Sequence, residues 1–156
     1  MATGRVLALG FAAFNAADSA NVPTQSGAGA ESGTMTIGGQ VDQGSSSNKG
    51  MRLTMALADY SDGDIEETAI IYDTGDTAPV DVDLSLRDIP DGTVTGTVVG
   101  SISMTGDLVG LIALEYALSG LIEPGVGDEV ALVDGSTGVT GSATSEYGTF
   151  EVDFSF

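Results

Sequence analysis

At 156 residues the chain is about one domain long, enough to bury a real core, and its 23 glycines, five Phe, four Tyr and no Trp describe a β-rich fold with many turns. Twenty-three acidic residues against four basic ones give a formal net charge of −19, which repels phosphate backbones and anionic lipid and so argues against nucleic acid and membrane surfaces as partners. The lack of Cys and His removes disulfides, cysteine nucleophiles, imidazole bases and ordinary zinc sites together, and no run reaches the roughly 18 apolar residues of a membrane span.

Residues 1–22 form an apolar arm. Leu7, Phe11 and Phe14 fall at helical spacing, which predicts a short amphipathic helix packed on a sheet. The same stretch, with Arg5, an apolar run from Val6 to Phe14 and small-residue triplets, also has the make-up of a signal peptide. Residues 23–33, "PTQSGAGAESG", read as a polar, Gly-rich linker between this arm and a β domain over residues 34–156.

From there alternation dominates. Met35, Ile37, Gly39 and Val41 share one face, as do Met51, Leu53, Met55 and Leu57 beyond the "GSSSNKG" loop. "TAIIY" is a third apolar run. In "VDVDLSLRD", Val80, Val82, Leu84 and Leu86 oppose Asp81, Asp83, Ser85 and Arg87, the pattern of a strand with one wet face. After "PDG", Val94, Val98, Ile102 and Met104 line up with Gly96 and Gly100, and inward glycines predict close backbone approach or strong curvature. "LVGLIALEYALSGLI" is apolar on both faces near its start and is expected to be a more deeply buried strand. "EVALV" and "TGVTGSAT" follow. "TFEVDFSF" then directs Phe150, Val152, Phe154 and Phe156 one way, so this Phe face is expected in the main core. The whole is an all-β chain, an antiparallel β-sandwich or up-and-down barrel of about eight or nine strands, with an N-terminal apolar arm or short helix.

Three constellations bear on chemistry. Asp73-Thr74-Gly75 follows two apolar residues, as the catalytic aspartate of an aspartic protease does, and two chains could each supply one carboxylate to a proton-sharing pair. Asp76 adds a charge where such enzymes carry Ser or Ala, and no clear second element follows, so the residues read better as a strand ending in a polar turn. Asp59, Asp62, Asp64 and Glu66, with Glu67, cluster the hard oxygens that calcium takes, although the spacing is not that of an EF-hand; the plainer alternative is a solvated acidic loop. Asp81 and Asp83 stand about 6 to 7 Å apart by strand rise, but with no Trp for sugar stacking they read as a wet face. No organic cofactor is implied.

"MRLTMALADYSDG", "IPDGTVTGTVVGSISMTGDL" and "TGVTGSATSEYGTFEVDFSF" resemble the secreted β-rich proteins and lipoproteins of myxobacteria and related bacteria. The resemblance implies an extracellular or cell-envelope location and no particular activity. The acylated Cys of such lipoproteins has no counterpart here, so a lipid anchor is not implied. Elimination leads to the same place: a non-enzymatic extracytoplasmic β domain, a structural or surface-interaction subunit. Its arm would dock into a neighbouring copy and build an oligomer or filament by strand addition, and its removal would leave the β domain folded. The alternative is a barrel carrying a small apolar ligand, with inward glycines and methionines giving room.

Positions 59 to 91 hold 11 acidic residues against Arg87 alone. Salt at about 1 M shortens the Debye length to about 3 Å. The melting temperature is therefore expected to rise modestly with salt or calcium, and a flat titration would show charges already well separated.

Overall fold

The computed structural model describes residues 2–65 and 67–156, which form one helix and ten strands. Ala2–Asn15 is helix α1. Its Ala and Leu content favours the helix, and Val6, Leu7, Phe11 and Ala13 on one stripe are buried. The strands are β1 (Asn21–Ala28), β2 (Ser32–Val41), β3 (Lys49–Ser61), β4 (Ile70–Asp73), β5 (Val80–Arg87), β6 (Gly92–Gly106), β7 (Gly110–Pro124), β8 (Val130–Leu132), β9 (Gly138–Ser145) and β10 (Gly148–Ser155).

All ten belong to a single antiparallel sheet that runs up and down in chain order. Two lanes are shared. β4 and β5 both lie between β3 and β6, and β8 and β9 both lie beside β7. The register places Ile37 opposite Met55, Leu53 opposite Val82, Val98 opposite Tyr116, and Val139 opposite both Leu118 and Phe154. Opposed residues point the same way, so the buried apolar residues of neighbouring strands fall on one face. Gly96 lies on that face because its neighbour is too close for a side chain: a β-carbon there would stand 2.3 Å from the Asp83 carbonyl oxygen.

Helix α1 lies across the concave apolar face. At Gly10 a β-carbon would meet methyl groups of Leu53, Leu84 and Ile37 at 3.5 to 4.0 Å, so the helix backbone sits directly on the middle of the sheet. One flank of α1 reaches β1, where Gly27 faces Arg5 and Leu9, and its first turn meets the Phe156 ring at Gly4. At its far end the Asn15 amide donates from Nδ2 to the Val130 carbonyl and accepts the Val130 N–H at Oδ1, both at 3.0 Å. A side-chain amide thereby takes the place of a strand against β8.

Four expectations change. Residues 23–33 are not a linker: most of them are β1, an edge strand paired through its backbone to β2. The sequence hides this because only Val22 is buried and because Pro23, which lacks an N–H, is tolerated at an edge. The sheet thus begins before residue 34, and the arm is joined to it without a flexible spacer. Strand β7 buries one face only; Leu111, 57% exposed, and Leu121 point outward. The terminal Phe face is half-covered, with Phe154 partly buried and Phe150 53% exposed, because β10 is the other edge and lies beyond the reach of most of α1. Finally, α1 is the helix packed on the sheet that its spacing predicts, and its burial in the core changes what its removal is expected to do. Removing residues 1–22 is therefore expected to unfold the domain, and Phe11→Ala to cost about 3 to 5 kcal/mol in urea unfolding. A truncated chain with an unchanged cooperative transition would show that the sheet holds its concave face without the helix.

Candidate functional site

Helix α1 fills one part of the concavity and leaves another open. The space that remains is a cavity of about 500 Å³. Val6 of α1, Met35 of β2, Leu57 of β3, Ile102 of β6, Leu114 of β7 and Phe154 of β10 give it apolar walls. The strand residues among them belong to the inward set fixed by the period of two, Val6 belongs to the buried stripe of α1, and the curl of the sheet brings them around one volume. The cavity opens at the loop after β3, where Asp64 and Ile65 are exposed at its rim. Two depressions on the convex face, of about 290 and 400 Å³, lie over short side chains such as Thr97 and are open to solvent.

Three phenols stand among these apolar walls: Tyr60, Tyr72 and Tyr116. Tyr60 is almost fully buried and its hydroxyl donates to Asp62 Oδ1 at 2.7 Å. Burial, followed by that bond and the Asp62 charge, pushes its pKa up to about 12. Burial also raises Tyr72 and Tyr116, and Tyr72 itself adds to the upward shift of Tyr116. All three are therefore neutral hydroxyls near pH 7. The Tyr72 and Tyr116 hydroxyls make no hydrogen bond to another described residue.

Asp62 closes the polar side of the site. Burial pushes its pKa up, but the Tyr60 hydroxyl, the Ala30 N–H at 3.2 Å and nearby positive charge, Arg5 at 3.9 Å included, outweigh this and hold it below the usual carboxylate range. The four residues read as a calcium set are thus divided. Asp62 is engaged as described. Asp59 sits in β3 at φ +49° with its N–H donating to Asp73 Oδ2 at 3.1 Å, Asp64 is exposed at the rim, and Glu66 lies outside the described residues. Among the described residues no three acidic groups are arranged to hold a metal ion.

The "DTG" residues lie elsewhere and have a structural task. β3 is paired by β5 as far as Met55 and by β4 at Tyr60, which leaves a gap in the lane between them. Buried Thr74 spans that gap: its N–H and hydroxyl donate to the Leu57 carbonyl at 3.1 and 3.2 Å, and its oxygen accepts the Leu57 N–H at 3.0 Å. Asp73 completes the repair by accepting the Asp59 N–H, and it forms the turn by accepting the Gly75 N–H. The Gly75 and Asp59 bonds hold its carboxyl below the ordinary range, so it stays ionised at neutral pH. Sequence reasoning found the turn at Asp73 and missed Thr74, whose role depends on a gap visible only once strands are paired.

No family model matches the chain, and no similar protein was found among curated proteins or solved structures.

Because the folded-state pKa of Asp62 is depressed, the stability it contributes is present above the unfolded value and is lost as pH falls through the folded one. Asp62→Asn is expected to be less stable than the parent chain at neutral pH, with the difference closing below about pH 4. Urea midpoints for both proteins across that range check this; a difference independent of pH would mean that the charge of Asp62 contributes nothing.

Proposed function

We propose that this protein is a non-enzymatic carrier or sensor of a small apolar ligand, held between α1 and the concave face of the sheet. The cavity of about 500 Å³, apolar in its walls and open at one polar rim, supports this reading. Its size is in the range of ligand sites, about 300 to 1,000 Å³. Its composition follows the same rule, with many apolar groups and a few converging polar ones. Met35 and Met55 add walls that adapt to shape, since an unbranched thioether side chain repacks at little cost.

A separate observation favours self-association as a second reading. β10 is an edge strand with one side unpaired among the described residues and with Phe150 53% exposed, the features through which sheets add strands. Because α1 is engaged in its own core, assembly would run through β10 rather than through the N-terminal arm expected from the sequence.

The carrier reading predicts that the uncharged dye N-phenyl-1-naphthylamine binds saturably with a rise in emission. Leu114→Trp places an indole in the cavity and should weaken the dye at least about tenfold while leaving a folded chain by circular dichroism. Absence of saturable binding, or equal binding by the folded Leu114→Trp variant, would sink the proposal.

A further inference from the structure

Resting on the carrier reading, the charges and hydroxyls around the cavity narrow the class of ligand. No Lys or Arg is among its described lining residues. Arg5 is paired with Asp62 at 3.9 Å, and Arg52 is paired with Asp42 at 3.1 Å. Lys49 and Arg87 lie at the end of the β3–β5 ladder away from the cavity, whose β3 walls begin at Met55. A carboxylate or phosphate head would thus enter unpaired, past Asp62 and Asp64, in a chain of net charge −19. Burying an anion without a partner is costly, and the local field adds to that cost.

A cationic head fares little better. The Asp62 carboxylate already receives the Tyr60 hydroxyl, the Ala30 N–H and Arg5. Asp64 is exposed at the rim, where an ion pair is worth little. What the cavity does offer is two half-buried phenols, Tyr72 and Tyr116, each able to donate and to accept, with no protein partner among the described residues.

We infer that the ligand is an uncharged amphiphile, an apolar chain or ring system carrying one hydroxyl or carbonyl group that bonds to Tyr72 and Tyr116. The apolar part lies against Leu57, Ile102, Ile112 and Leu114, and the polar group completes the hydrogen bonding that the two phenols lack. Neutral phenols suit such a head, since burial raises the pKa of both.

Three ligands of one chain length separate the possibilities: decanol, decanoate and decylammonium, each competing with N-phenyl-1-naphthylamine near pH 8, where decanoate is ionised. Decanol is expected to displace the dye at a concentration at least about tenfold below either charged ligand. Tyr72→Phe combined with Tyr116→Phe keeps both rings and, in a chain shown by circular dichroism to be folded, is expected to weaken decanol about tenfold, the loss of roughly one buried hydrogen bond. Decanoate or decylammonium binding as tightly as decanol overturns the inference while leaving the carrier reading in place. So does decanol affinity that ignores both Tyr substitutions. Failure of the dye itself to bind overturns both.

Discussion

Leu7, Phe11 and Ala13 of α1 are pressed into the concave side of a sheet whose edge strands, β1 and β10, do not pair with one another among the described residues. That contact meets two demands at once. A curled meander of ten strands gathers its apolar side chains on one face, which must be kept from water, and it ends in two edges that must be covered or tolerated. The helix covers most of the face and reaches toward both edges, at Gly27 beside Arg5 and Leu9 and at Gly4 beneath Phe156. The bidentate bond between Asn15 and Val130 anchors its far end to the short strand β8. A chain with one domain's worth of residues and few large aromatics thus builds one core from one helix and one ten-stranded antiparallel sheet.

The cavity is a consequence of the same arrangement. Fourteen helical residues span about 21 Å, less than the reach of the 15-residue strands β6 and β7. Beside Val6, inward side chains of β6 and β7 such as Ile102, Ile112 and Leu114 border an open volume, together with Tyr72, Tyr116 and Phe154. The polar rim is organised from the helix as well, since Arg5 carries positive charge to the loop that holds Asp62. Core and site are therefore not separable parts. The element that stabilises the sheet also sets the size of what the sheet encloses.

Charge acts on a longer scale. Most carboxylates lie on the convex face or in loops, as Asp81 and Asp83 do along β5, and bulk water hydrates them cheaply there. Those drawn into structure are the ones given donors: Asp42 by the Gly50 N–H and Arg52, Asp62 by the Tyr60 hydroxyl, and Asp73 by two backbone N–H groups. Four basic residues cannot neutralise 23 acidic ones, so the backbone supplies donors where cations are missing.

The period of two was enough to determine the strands from Thr34 onward, the faces of β2, β3, β5 and β6, the inward glycines and the turn at Asp73, because each of these is written in the spacing of neighbouring residues. The 3.6-residue spacing of Leu7, Phe11 and Phe14 likewise fitted the helix, although the same stretch also had the make-up of a signal peptide. Where local pattern carries no signal, tertiary structure decided. β1 is a strand by virtue of its backbone pairing with β2, not its side chains, so a Gly-rich stretch read as a linker is an edge. The outward side of β7 and the exposure of Phe150 follow from where the sheet ends, which no window of residues contains. The cavity is the furthest removed from the sequence. Its walls come from α1, β2, β3, β4, β6, β7 and β10, residues separated by most of the chain, and an empty volume is defined by the distance between surfaces rather than by any residue on them.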